Sequence, residues 1–172
     1  VAILQLVYVA FGTRDDVYQP LMWILAAGSM TAGNLMALRQ KNLVRLMAYS
    51  GIAQAGYMLA PLVIAGHSAE AASKSLQAVV GYLVIYAVMN LGAFGVILAV
   101  ARKTRSAEIS SFRGLFHYAP GLTLAPPMFL MSLAGIPPLA GWFGKFQIIS
   151  ALLSAKNASG VAMGIVLGVN SV

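Results

Sequence analysis

From residue 120 to residue 154 the chain reads PGLTLAPPMFLMSLAGIPPLAGWFGKFQIISALLS, and Lys145 is the only charged residue in it. An ammonium near the centre of a bilayer costs about 2.5 to 3.5 kcal/mol on insertion scales, so a chain keeps one there where it faces protein, water or a functional partner. Stripped of part of its hydration, such a group accepts and releases protons as nearby charge changes. Lys145 is therefore a candidate proton carrier. The alternative is a lysine whose stem lies in hydrocarbon while its head reaches an interface. About nine residues, or ~14 Å of helix, separate it from Ser154, a long reach for one side chain.

Other polar residues on apolar runs are Asn34, Gln54, Tyr57, Tyr82, Tyr86, Asn90 and Ser132. Singly, each reads as a bond joining two helices, worth about 0.6 kcal/mol per pair in membranes. Collectively they can seat waters, and Tyr57, Tyr86, Asn90 and Ser132 are the candidates for lining a water path to Lys145. His67 falls in a connector and His117 at a membrane boundary, neither with a second ligand at metal spacing, so both read as solvated or interfacial. There is no GxGxxG, P-loop or HExxH. The acids Asp15, Asp16, Glu70 and Glu108 all fall in connectors, which leaves no paired carboxylates on the apolar runs. A carboxylate partner for Lys145 would have to come from other sequence.

The elements that must position these groups follow from composition. The chain is 60% hydrophobic and 9% charged, against about 25% charged in soluble domains. That is the composition of an all-α, polytopic membrane protein. Its net charge of +7 collects in short connectors, with no basic patch interleaved with aromatics, so nucleic acid is not the expected partner. Zero cysteines exclude disulfides, thiolate chemistry and cysteine-held iron–sulfur clusters from these residues.

Six helical stretches are expected, over 1–12, 20–38, 46–65, 78–101, 120–154 and 160–172, within one membrane domain spanning 1–172. The outer two are short of the ~20 residues needed to cross, and the chain reads as an internal piece of a larger subunit. A straight helix over 120–154 would overshoot a hydrocarbon core of ~30 Å. Pro137 and Pro138, flanked by Gly135 and Gly141, offer the break. The residues alone allow a tight hairpin or a single helix whose middle unwinds, as transporters build ion sites.

The connectors carrying Arg39, Lys41, Arg45, Arg102, Lys103, Arg105 and Arg113 outweigh those carrying Arg14, Lys74 and Lys156, so the first group is expected on the cytoplasmic side. Small residues at Gly28 and Ala32, and at Gly92, Ala93 and Gly95, suggest close helix contacts.

Four segments carry a family resemblance: GNLMALRQKNLVRLMAYSGIAQAGYML at 33–59, YLVIYAVMNLGAFGVI at 82–97, FRGL at 112–115 and SLAGIPPLAGWFGKF at 132–146. In this order they resemble the antiporter-like membrane subunits of respiratory complex I (NADH:quinone oxidoreductase), and within them the N branch, counterpart of mitochondrial and plastid subunit 2. The resemblance covers nearly the whole chain from about residue 20. It implies a proton-translocating helical bundle built from two inverted repeats, each with a broken helix, of which this chain is most of the second. It carries the family's broken-helix lysine onto Lys145 and favours the single unwound pass over the hairpin. It further implies partners among the other membrane-arm subunits, a bacterial plasma membrane or else an organelle inner or thylakoid membrane, and no cofactor in this chain. FMN, iron–sulfur clusters and the quinone site would belong to other subunits. Relatives often have a lysine where Val44 stands, and the family's upstream mid-membrane lysines and glutamate have no counterpart in these residues. Multisubunit sodium/proton antiporters are similar around the break but usually have histidines and a lysine on the helix that here holds Tyr86 and Asn90. A purely structural membrane-arm segment is the third reading.

Overall fold

The computed structural model describes residues 2–11, 15–112 and 120–171, with backbone alone for 15, 111, 112, 120, 122, 123 and 125. Arg14, Arg113, His117 and most of the FRGL segment lie outside the described residues. The described part is helical: α1 (Ala2–Gln5) running into a π-helical turn (Leu6–Ala10), α2 (Asp15–Leu38), α3 (Leu43–Leu59) tightening into a 3-10 turn (Ala60–Ile64), α4 (Ala69–Thr104), a 3-10 turn (Ile109–Phe112), α5 (Pro120–Ala134), α6 (Ala140–Ser154) and α7 (Ala158–Asn170). Three helical segments, Asp16–Leu38, Leu43–Ile64 and Ala69–Thr104, are long and apolar enough to cross a bilayer, with 23, 22 and 36 residues.

Local chemistry sets the ends. The Asn42 side chain accepts from the backbone N–H groups of Val44 and Arg45 at 3.0 and 3.2 Å, capping α3. Ser68 does the same for α4 through the N–H of Ala71, and Asn157 for α7 through that of Gly160. Such caps satisfy donors that have no partner within the helix. The Ser68 cap explains why α4 starts at Ala69 and not near residue 78: AEAASKSLQ is rich in helix formers, and its polar side chains disguise it as a connector. Lys74 is thus helical and pairs with Glu70 at 2.7 Å one turn away. At ~1.5 Å per residue α4 is ~54 Å long, so it outreaches the hydrocarbon. Its charges sit at its two ends, Glu70 and Lys74 at one and Arg102 and Lys103 at the other.

The two arginine- and lysine-rich connectors meet. The Leu43 N–H donates to the Ala107 carbonyl at 2.9 Å and the Ile109 N–H to the Lys41 carbonyl at 3.0 Å, a short antiparallel bridge between Asn42 and Glu108. Residues 39–45 and 102–109 therefore share one end of the bundle, as their common excess of positive charge required.

One buried cluster gathers α2, α3, the 3-10 turn after it, α4, α6 and α7 around Met30, Tyr57, Ile64, Tyr82, Ile148 and Met163. Close helix contact occurs as expected at Gly92, set against Phe129, and at the buried Ala93, and departs from expectation at the other three positions. A Cβ at Gly28 or Gly95 would meet nothing within 4 Å among the described residues, and Ala32 is exposed. The tight crossing is made instead by Gly33, set against Tyr49 and Ala53, and by Gly56, set against Ala26 and Met30. Small-residue spacing marks a face; the neighbour that fills it is a tertiary choice.

Candidate functional site

α5 ends at Ala134 and α6 begins at Ala140, so the break falls where Gly135, Pro137 and Pro138 stand. Gly135 has φ +90°, a backbone conformation that side chains with a Cβ disfavour, and it turns the chain out of the helix. The Pro137–Pro138 peptide is cis. Pro126 and Pro127 lie inside α5, where neither has an N–H for the helical ladder.

The route past the break is read from α4. Gly92 packs on Phe129, Met89 on Ser132 and Gly141, Tyr82 and Ile85 on Gly144, and Gly81 on Gln147. As α4 is followed toward its start, its partner numbers rise steadily from α5 through the break into α6. A hairpin would reverse that order. The segment is therefore one discontinuous helix lying antiparallel to α4, and the break is level with the middle of α4.

A helix end leaves its last four carbonyls without partners in the ladder, and at this depth each needs a donor. The Met131 carbonyl accepts from the N–H groups of Gly135 and Ile136, both at 3.2 Å, and the Ser132 carbonyl from Gly135 at 3.0 Å. The Leu133 carbonyl accepts from Gln54 Nε2 at 3.1 Å. The Ala134 carbonyl accepts from Lys145 Nζ at 2.8 Å. Two carbonyls are thus satisfied by the turn itself and two by side chains from α3 and α6.

Lys145 is 5% exposed. Besides the Ala134 carbonyl, its ammonium lies 4.6 Å from the centroid of the Tyr57 ring, and its stem runs along Gly135, where a Cβ would sit 2.9 Å from Cδ. Tyr57 is itself anchored: its hydroxyl donates to the Asn170 carbonyl at 2.5 Å and accepts from Asn34 Nδ2 at 3.2 Å, while Asn34 also donates to Asn170 at 2.6 Å. The lysine is held by a helix-end dipole and a ring quadrupole, each a partial charge. No ion pair to Lys145 occurs among the described residues.

Of the residues singled out from sequence, the structure brings Lys145, Tyr57, Ser132, Gly135 and Gly141 to the break. The Ser132 hydroxyl donates to Met89 Sδ at 2.8 Å and accepts from the Gly141 N–H at 3.3 Å, stitching the two half-helices to α4. Pro137 and Pro138 are exposed at the turn. Tyr86 and Asn90 stand one turn apart on α4, farther along from Tyr82. Tyr86 is half-buried with its hydroxyl toward Gly51, and Asn90 Oδ1 is buried without a hydrogen-bond partner among the described residues. His67 is exposed and lies 3.1 Å from Gln19. Gln54 and Tyr82 stand closer to the chemistry than their treatment as helix-joining residues suggested. Tyr82 donates a short hydrogen bond to Gln54 Oε1. The signal available was a glutamine one turn before Tyr57 on an apolar run.

Comparison with known proteins gives concordant matches. The family described as NADH:quinone oxidoreductase/Mrp antiporter, TM, matches residues 1–170. The chain is 45% identical over 134 residues to an NADH-quinone oxidoreductase subunit N of Brevibacillus brevis, covering 78% of this chain and 25% of that protein. It is 40% identical over 169 residues to an NAD(P)H-quinone oxidoreductase subunit 2 of Synechocystis, covering 98% and 31%. Among solved structures, a chain of respiratory complex I from Thermus thermophilus with bound aureothin is similar at a TM-score of 0.64 and 31% identity, over 88% of this chain and 33% of that one. The chain thus spans between a quarter and a third of these relatives' length.

Proposed function

The chain belongs to the NADH:quinone oxidoreductase/Mrp antiporter transmembrane family, and from that premise we propose that it serves in a proton-translocating membrane subunit of an NADH:quinone oxidoreductase. Quinone reduction takes place in other subunits; this chain contributes proton transfer through Lys145. Its partners are the other membrane-arm subunits and the lipid bilayer, and its location is a bacterial plasma membrane.

The observation that carries this reading is the setting of Lys145: a buried ammonium level with the middle of α4, held among the described residues by a carbonyl and a ring face. A full carboxylate would fix the charge strongly, and breaking such a buried pair costs about 3–5 kcal/mol. Partial charges hold it enough to place it and leave it able to give up its proton. Asn90 Oδ1, buried and without a hydrogen-bond partner among the described residues, supports the water path, because buried acceptors are nearly always satisfied by protein or by water. Tyr57, Tyr86 and Ser132 would complete that lining, with Gly135, Pro137, Pro138 and Gly141 as the hinge.

The test is NADH-driven proton pumping in inverted membrane vesicles carrying the complete subunit with Lys145→Ala, with assembly followed by native gel. The expected result is an assembled complex that transfers electrons and no longer pumps through this route. Normal pumping at normal electron transfer would overturn the reading. A second reading has its own observation. The Lys145–Ala134 bond also makes the lysine a clip on the end of α5, and if that is its whole role Lys145→Ala lowers assembly while whatever assembles pumps normally. Membership in a sodium/proton antiporter would show in the same vesicles as sodium-driven proton flux without NADH.

A further inference from the structure

We propose that Gln54, steadied by Tyr82, is the positioning residue of the break, holding the end of α5 where its last carbonyl meets the Lys145 ammonium. This rests on the proton-carrying reading of Lys145. Gln54 is 3% exposed and Tyr82 is fully buried, and both ends of the Gln54 amide are used. Its Nε2 donates to the Leu133 carbonyl at 3.1 Å, and its Oε1 accepts from the Tyr82 hydroxyl. The polarity is set by the partners. A hydroxyl donating to Oε1 leaves Nε2 facing Leu133, whereas the flipped amide would set oxygen against oxygen there.

Leu133 and Ala134 carry adjacent carbonyls at one helix end, so a donor that fixes the first fixes the second. α3 therefore reaches the site twice, through Gln54 on the carbonyl side and, one turn later, through the Tyr57 ring on the ammonium side. The two donors differ in kind. Lys145 is a strong donor only while charged, because a neutral amine gives weaker hydrogen bonds. The Gln54 amide is neutral at every physiological pH, so it keeps the end of α5 in register whether or not Lys145 carries its proton.

The experiment uses the intact complex with Gln54→Leu, Gln54→Glu and Tyr82→Phe, beside Lys145→Ala. Two quantities are read: protons pumped per electron between pH 6 and 8, and hydrogen–deuterium exchange of the peptide covering 132–141. Gln54→Leu should accelerate exchange at the break at least about tenfold and lower pumping at every pH. In Gln54→Glu the introduced carboxyl takes the amide's place between the Tyr82 hydroxyl on α4 and the Leu133 carbonyl, one residue from the carbonyl that Lys145 on α6 holds and one turn from Tyr57 on α3. Protonated, it keeps both hydrogen bonds; ionised, it cannot donate to Leu133. Its pumping should approach the parent's at the acid end and fall as pH rises, a profile that mere loss of packing would not produce. Tyr82→Phe should move exchange in the same direction by less. If Gln54→Leu does not assemble, the other two variants decide. Parent-like exchange at the break in every assembled variant overturns the proposal. Faster exchange in Gln54→Leu combined with normal pumping in Lys145→Ala would sustain the clamp while removing the proton-carrying role on which its function depends.

Discussion

The α2–α3 pair and the α5–α6 pair solve opposite problems. α2 and α3 have helical ladders that satisfy their own backbone groups, so they can meet through bare glycine surfaces, Gly33 and Gly56, with backbone almost touching backbone. α5 and α6 are two halves of one interrupted ladder, so their junction carries unsatisfied carbonyls and draws in Gln54, Lys145 and Ser132. Steric contact between small residues has no second arrangement of similar energy. Hydrogen bonds from long side chains do, since a glutamine or lysine can hand its donor to another acceptor. The difference teaches that side chains from two other elements are drawn to carbonyls where the ladder is broken, whereas between α2 and α3 the polar contact of Asn34 with Tyr57 joins side chains and leaves both ladders intact.

The sharpest way to break this comparison is to attack the rigid pair. A Cβ at Gly33 would lie 2.6 Å from the Ala53 nitrogen and 2.8 Å from the Tyr49 oxygen, both backbone atoms. Gly33→Leu should therefore destabilise by about 3 kcal/mol and strip the complex of assembled subunit on a native gel. Gly28→Ala, on the same helix with open space around it, should leave assembly unchanged; equal losses from both would deny that the crossing is specific. A smaller effect is expected at the break. Gly135→Ala would put a Cβ at φ +90° against the Lys145 stem, costing about 1–2 kcal/mol. The complex should assemble and pump fewer protons per electron, and unchanged pumping would mean that the lysine tolerates displacement. The smallest effect belongs to Tyr57→Phe. The ring under the ammonium stays, and the Asn170 carbonyl keeps its bond from Asn34, so about 1 kcal/mol of stability is lost and pumping falls only in part, through loss of the hydroxyl from the water path. Pumping fully retained with assembly intact would take that hydroxyl off the path.

Much of this was legible in the residues. The spans follow from apolar length, the break from Pro137 and Pro138 beside Gly135, and Lys145 from being the only charge in a run of hydrocarbon side chains. The direction of the discontinuous helix was not legible, because hairpin and single pass have the same local pattern; it needed the order of contacts along α4. The Gln54–Leu133 bond was hidden because its partners stand 79 residues apart, and its acceptor is a backbone carbonyl, which every residue has. The start of α4 was misjudged because Ser68 caps a helix whose first turns are polar. The contact face was read rightly at Gly92 and Ala93 and wrongly at Gly28, Ala32 and Gly95, because a spacing of small residues repeats on more than one side of a helix.

Met89 occupies a particular mechanical position. Its sulfur accepts from Ser132 at the end of one half-helix and lies against Gly141 at the start of the other, on a helix that continues unbroken past both. α4 is in effect a splint, and Met89 its fulcrum. Two rods lashed to one splint can rock or swivel about the lashing, but they cannot telescope apart along it. If Lys145 changes charge as proposed, a tilt of α5 against α6 is the displacement these contacts permit, and a thioether, soft and free to turn about three bonds, suits a pivot for it.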